Sequence, residues 1–322
     1  LHKTSRLELF AALVHEAPAC VEDDAAVGRT VKTGDIHGNA PLERLLRTHG
    51  RGQPFAGGQG CGHGVAEHPG HALAERLAPM VELGQLDFDV IAANPKVFLG
   101  YSDTTISHLM CARAGLSSFY GPSILAEFAE NVQMFPFSLE YLKRALFDNA
   151  PAGCLPCSPE WTGERIEWTQ SNSTTPKAMQ PNTPYLVLCG KRRARGRLWG
   201  GCMEVLEMAK GTPLWPDTEA FEDTILFLET SEDTPQPTQL LYALRNYGAM
   251  GILQRIRGLV FAKPYQEIFA EAYHKAILKV LEEYGLADLP VLCNASFGHN
   301  QPMVTLPYGV LAEIDCGSPS LS

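Results

Sequence analysis

What the sequence lacks narrows its chemistry first. No run among the 322 residues approaches the roughly 18 apolar residues that a membrane-spanning helix needs, so no membrane partner is expected. Basic residues are outnumbered, 26 Lys and Arg against 36 Asp and Glu, for a formal net charge of -10. Phosphate backbones demand a basic face, so nucleic acid is not expected as a partner. A disulfide framework is also missing. The nine cysteines are scattered, and Cys111, Cys189, Cys202 and Cys293 sit inside apolar runs, where a thiol behaves as a small hydrophobe. This pattern points to a reducing, cytoplasmic setting. Cys154-Leu-Pro-Cys157 has no second pair to complete a zinc or redox site, so neither metal nor cofactor is expected. Near the start, LFAALVHEAPAC has six apolar residues before His15 and Glu16 break the run, and it is not expected to act as a lipidated leader.

What is present suits one large domain or two ordinary ones, with 45% hydrophobic residues to build a core. Residues 1–75 carry seven of the ten histidines and the Gly-rich FAGGQGCGHG, with few clear strand patterns. From Leu73 the pattern sharpens. HALAERLAPMVELG has helical spacing, VIAANPKVFLGY reads as a strand after its Pro break, DTTISHLMCARAG as a helix ending at Gly115, and FSLEYLKRALFD as an amphipathic helix over 137–148. Residues 149–184, rich in Pro, Ser, Thr and Asn, read as a linker or long loop. Beyond it, YLVLCG, ILFLET, GLVFA and PVLCNASFG read as buried strands, with helical TQLLYALRNYGAMGIL and IFAEAYHKAILKVLEEYG between them. VTLPYGVLAEID reads as a hairpin around Pro307-Tyr308-Gly309. Strands alternating with helices in both halves predict an α/β protein.

One junction raises a chemical question. In PKVFLGYSDTTISHLM an apolar run meets Gly-Tyr-Ser-Asp-Thr and passes into a helix with no intervening loop. Ser102 there is either a helix N-cap or a nucleophile lifted by a sharp turn, with the Asp103 amide placed to donate to an oxyanion. The match to G-x-S-x-G is partial, because Thr104 replaces the second glycine. A serine nucleophile needs a base, and the base an orienting acid. Glu229 ends the apolar run ILFLE, where α/β proteins build sites; it is either that acid or an exposed strand-end charge. His299, in SFGHNQP, follows another strand and is a candidate base. Glu232 and Asp233 read as solvated loop charges, and His108 and His274 as residues of helix faces.

The segments ANPKVFLGYSDTT, SSFYGPS, GRLWGGCMEVLEMAKGT, LFLETSEDTP, LRNYGAMGIL and LPVLCNASFGHNQPMVTLPYG recur in this order in one family. Over residues 84–320 the chain resembles the LD-carboxypeptidase family of serine peptidases, in particular its microcin C immunity-peptidase-like branch. The resemblance implies a Ser-Glu-His triad on Ser102, Glu229 and His299. It implies an N-terminal doubly wound (flavodoxin/Rossmann-like) domain over 1–150 bearing the serine, and a C-terminal mixed α/β, barrel-like domain over 185–322 bearing Glu229 and His299. The site would lie between them, in a homodimer. Two activities occur in the family: removal of a terminal D-alanine across an L,D-amide bond, and cleavage of a peptidyl–nucleotide bond. The expected partner is therefore a small peptide or peptidyl-nucleotide substrate. EWTGERIEWTQ resembles the long loop of the immunity branch, in which Trp161 or Trp168 could stack on a base or simply pack the domain interface.

The first 72 residues depart from the family. Its members carry a glycine-rich strand end whose amide completes the oxyanion hole; the candidate here, Gly58 in Gly57-Gly58-Gln59-Gly60, has no apolar strand before it. A catalytically impaired binding protein of the same fold is the corresponding alternative. VKTGDIHGNAPLERLL also resembles the first metal-binding motif of calcineurin-like metallophosphoesterases, through Asp35 and His37. No second Gly-Asp motif and no Gly-Asn-His-Glu are present to supply the remaining ligands of a two-metal site.

Overall fold

The computed structural model describes residues 86–167 and 169–322. The readings that rest on Asp35, His37, Gly58 and Trp168, and the helical spacing of residues 71–84, lie outside the described residues. So does most of the stretch 1–150 expected to form a doubly wound domain.

The described chain opens with α1 (Phe88–Ala93), capped by Asp87, whose side chain accepts from the Val90 amide. A short strand, β1 (Leu99–Gly100), runs into a single 3-10 turn at Ser102–Thr104 and then α2 (Thr105–Arg113). β2 (Phe119–Tyr120) pairs parallel to β1. After α3 (Pro136–Phe147), residues 149–184 form a mostly irregular segment holding a minimal antiparallel pair, β3 (Glu160–Trp161) and β4 (Gln180–Pro181).

The core is built by the next eight elements: β5 (Leu186–Cys189), β6 (Arg193–Cys202), α4 (Met203–Ala209), β7 (Thr224–Glu229), α5 (Pro237–Ala249), β8 (Gly258–Ala262), α6 (Ala270–Glu283) and β9 (Val291–Ala295). The last strands are β10 (Leu306–Pro307), β11 (Leu311–Asp315) and β12 (Ser320–Leu321). Seven strands form a curled, half-barrel mixed sheet in the order β12-β11-β6-β7-β8-β9-β5. β6 to β9 run parallel and the flanking strands antiparallel. Every residue of β7 and of β8 is buried, as expected for parallel strands covered on both faces. α5 begins with Pro237 at its first turn and a capping box between Gln236 and Gln239. α5 and α6 pack together, the Tyr284 hydroxyl donating to the Arg245 carbonyl.

One strand carries no mark in the sequence, and one expectation needs correction. β6 lies inside the sheet, between β11 and β7, although RARGRLWGGC lacks an apolar run. Its Arg193, Arg195 and Arg197 face solvent while Ala194, Gly196 and Leu198 turn inward, an alternation that its glycines and arginines disguise. The hairpin expected around Pro307-Tyr308-Gly309 does not form. β10 instead joins β1 and β2 in a separate three-stranded sheet, paired antiparallel to β2, while β11 pairs with β6. The chain after His299 thereby returns to the segment that carries Ser102.

Candidate active site

Ser102 sits where β1 gives way to α2, and its backbone is left-handed at φ 61°. That region is sterically disfavoured for a residue with a Cβ, at about 1–3 kcal/mol. Local bonds hold the turn: the Thr104 amide and hydroxyl both donate to the Tyr101 carbonyl, the hydroxyl at 2.8 Å. Thr104, where a second glycine was expected, thus braces the turn through its side chain. Ser102 lacks the capping bond of the N-cap alternative; the residue at the N-cap position of the turn is Tyr101.

β7 and β9 deliver the other two groups. Glu229 is the last residue of β7 and is 1% exposed. His299 follows β9 after Gly298, whose φ of 86° and closeness to Glu229 Oε2 leave no room for a Cβ. The three side chains form a relay: Ser102 Oγ lies 2.9 Å from His299 Nε2, and His299 Nδ1 lies 2.5 Å from Glu229 Oε2. Glu229 Oε1 accepts a 2.6 Å bond from the buried Tyr120 hydroxyl, which itself accepts from the Ser102 amide at 3.1 Å. β6 closes the back of the site. Gly201, at φ 140°, abuts Thr105 of α2, and the Cys202 amide donates to the Thr105 hydroxyl.

Burial opposes a charged His299, yet the Glu229 and Glu232 carboxylates outweigh it and hold the imidazole up at about 10. Glu232, read from sequence as a solvated loop charge, in fact lies 2.9 Å from His299 Nε2. Its hydrogen bond to His299 holds its carboxyl down at about 2, against the opposing effect of burial. Tyr101 meets the imidazole edge-on, its centroid 5.1 Å away, and its hydroxyl donates to Glu127. Burial, opposed by hydrogen bonds from Ser123 and Gln301, raises the Glu127 carboxyl. The sequence offered no signal for Glu127 beyond its place after SSFYGPS.

The remaining candidates fall elsewhere. Trp161 is buried, with the Lys263 ammonium 4.8 Å from its ring centroid. His108 is wholly buried between the Gly100 carbonyl and the Ser118 hydroxyl, tying α2 to β1, and burial pushes it down to about 4. His274 lies on α6. The Cys157 thiol donates to the Asn294 carbonyl, whereas Cys154 is exposed. A cavity of about 860 Å³ between α2, the 213–220 loop and Tyr308 is lined by none of the three relay residues.

Comparison with known proteins decides the ancestry. The chain matches the LD-carboxypeptidase N-terminal domain over residues 80–121 and the LD-carboxypeptidase C-terminal domain over residues 195–314. It is 31% identical to an MccF-like protein from Streptococcus pneumoniae crystallised with AMP, across 76% of this chain and 74% of that one, with a TM-score of 0.68. It belongs to the LD-carboxypeptidase family, in the MccF-like branch. The Microcin C7 self-immunity protein MccF of Escherichia coli is 28% identical over 241 residues, 74% of this chain and 68% of that protein. A structure of MccF in complex with glutamyl sulfamoyl guanosine is 26% identical, covers 74% of this chain and 70% of its own, and has a TM-score of 0.63. This is a family of serine hydrolases, and relatives within it bind nucleotides and aminoacyl-sulfamoyl nucleosides. No described helix is long and apolar enough to cross a membrane.

Proposed function

We propose that the chain is a serine amidohydrolase that cleaves a peptide-like amide bond near a free carboxylate, as an L,D-carboxypeptidase or a peptidyl-nucleotide hydrolase does. One observation carries this reading: the continuous relay from Ser102 Oγ through His299 to Glu229. Ser102 attacks the amide carbonyl while His299 Nε2 takes the hydroxyl proton. Glu229, at Nδ1, orients the ring and stabilises its charged form. The tetrahedral oxyanion collapses, the C–N bond breaks, and His299 returns the proton to the leaving amine. Water, activated by the same imidazole, then hydrolyses the acyl-serine and restores the hydroxyl.

The Asp103 amide is the proposed oxyanion donor on the serine's side, with Gly58 as its partner. We further infer that residues 1–150 form the doubly wound nucleophile domain, that Trp161 or Trp168 contributes to substrate binding, and that the protein acts as a homodimer. The MccF relatives' nucleotide-like ligands favour the peptidyl-nucleotide class. A serine-reactive fluorophosphonate tests the core of the proposal. Labelling is expected in the wild type and is lost in Ser102→Ala. An unlabelled wild type would instead indicate a binding protein that keeps the fold without turnover.

A further inference from the structure

His299 Nε2 faces two partners that require opposite protonation states. It lies 2.9 Å from Ser102 Oγ and 2.9 Å from Glu232 Oε2. To act as base, Nε2 must be bare and accept the serine proton. To hold a carboxylate at that distance it must carry a proton, because two lone-pair acceptors repel. With Glu229 already at Nδ1, the second contact makes the ring an imidazolium between two carboxylates. The groups facing His299 are Glu229 from the end of β7, Glu232 from the loop after it, and Ser102 and Tyr101 from the turn after β1, with Glu127 behind the Tyr101 hydroxyl. Both nearest charges favour the proton, and at neutral pH the proposed base is occupied.

The other oxygen of Glu232 holds Arg165 at 2.7 Å, and the guanidinium also lies over Tyr265, 5.7 Å from its centroid. Neither partner is locked in the core: the Arg165 and Glu232 side chains are 58% and 34% exposed, against 1% for Glu229. The segment that carries Arg165 is nevertheless anchored to the His299 loop. Thr162 and Gln301 exchange both backbone hydrogen bonds, at 2.7 and 2.9 Å, and Gln266 binds the Gly163 carbonyl. The backbone that bears the guanidinium is thus held beside the His299 loop, and the guanidinium itself lies one carboxylate's width from the imidazole.

We propose that Glu232 occupies the position of the substrate's own carboxylate, and that Arg165 is the specificity residue that receives this group. This inference rests on the serine-hydrolase reading above. A carboxylate fits the planar fork of an arginine bidentately, as a neutral amide cannot. When the substrate's carboxylate takes Arg165, Glu232 leaves His299 Nε2, the imidazole loses its second counter-charge, and its proton departs to solvent. An anionic substrate thereby raises the fraction of His299 that is free to act as base above the small fraction present without it. The substrate class is therefore a peptide-like amide with a free carboxylate about one residue from the scissile bond.

Two readouts test this. Fluorophosphonate labelling of Ser102 and ¹⁵N NMR titration of His299 are followed against pH in the wild type and in Glu232→Gln. In the variant the acid limb of labelling and the His299 midpoint are expected to move down together by a unit or more, raising labelling at pH 7 about tenfold. Superimposed profiles would overturn the role of Glu232, and the NMR midpoint decides that even if Ser102 proves unreactive. An unlabelled wild type would count against the hydrolase reading alone. For Arg165, N-acyl dipeptides ending in a carboxylate or in an amide are compared. The wild type is expected to prefer the acid, and Arg165→Met to lose about tenfold or more of that preference through KM. An undiminished preference in Arg165→Met would overturn the assignment.

Discussion

The Tyr120 hydroxyl joins Ser102 to Glu229: it donates to the carboxylate at 2.6 Å and accepts from the serine's own amide at 3.1 Å. The ring around it is fully buried against Phe227 and Phe297. One side chain thus holds the strained Ser102 turn and the carboxylate at the far end of the relay.

Tyr120→Phe keeps the packing and removes the bridge. It leaves one buried donor and one buried acceptor without this partner, so stability is expected to fall by about 1–3 kcal/mol. Because the change loosens placement rather than binding, kcat is expected to drop by about 10-fold or more with KM nearly unchanged. Urea denaturation and steady-state kinetics check the two parts.

His299→Ala is expected to be nearly as damaging as Ser102→Ala, since positioned proton transfer contributes about 10²–10⁴-fold. Rates of fluorophosphonate labelling compare His299→Ala with the wild type directly, without knowledge of the natural substrate.

Gly298→Ala places a methyl group where Glu229 Oε2 lies and imposes a positive φ on a residue with a Cβ. A loss of about 1–3 kcal/mol is expected from the backbone alone. Labelling of Ser102 should also fall sharply, because the clash separates Glu229 from His299. Thermal melts together with labelling rates check this.

The buried His108 gives the fold a pH dependence of its own. Its folded-state value, about 4, lies below the ordinary histidine value of 6.5, so the unfolded chain binds the proton more readily. Stability is fully present above 6.5 and falls as pH drops from there towards 4, by about 3 kcal/mol in all. Denaturation midpoints at pH 7 and pH 4.5 should differ for the wild type, and differ less in His108→Gln.

How legible this was in the sequence depended on the element. β7, β8 and β9 announced themselves as apolar runs because parallel central strands bury both faces. β6 did not, since its exposed arginines and inward glycines leave no such run. Ser102, Glu229 and His299 could each be singled out because each ends or follows a strand, yet local sequence could not say that the three meet. Tyr120 and Glu232 lie in the recurring segments SSFYGPS and LFLETSEDTP, and Glu127 just after the first, but nothing local marked a role for them: their roles come from contacts made far along the chain. Glu232 looked like any surface carboxylate until the fold set it against His299.

β10 pairs with β2 only after the chain has run through most of the seven-stranded sheet. Ser102 and His299 are 197 positions apart, and Leu306–Pro307 completes the small sheet that borders the serine turn. During synthesis the serine stays without its histidine until 197 further residues have been added. A ribosome stalled before His299 would carry a serine without its relay, so the proposed activity has to wait for the segment from His299 to β10.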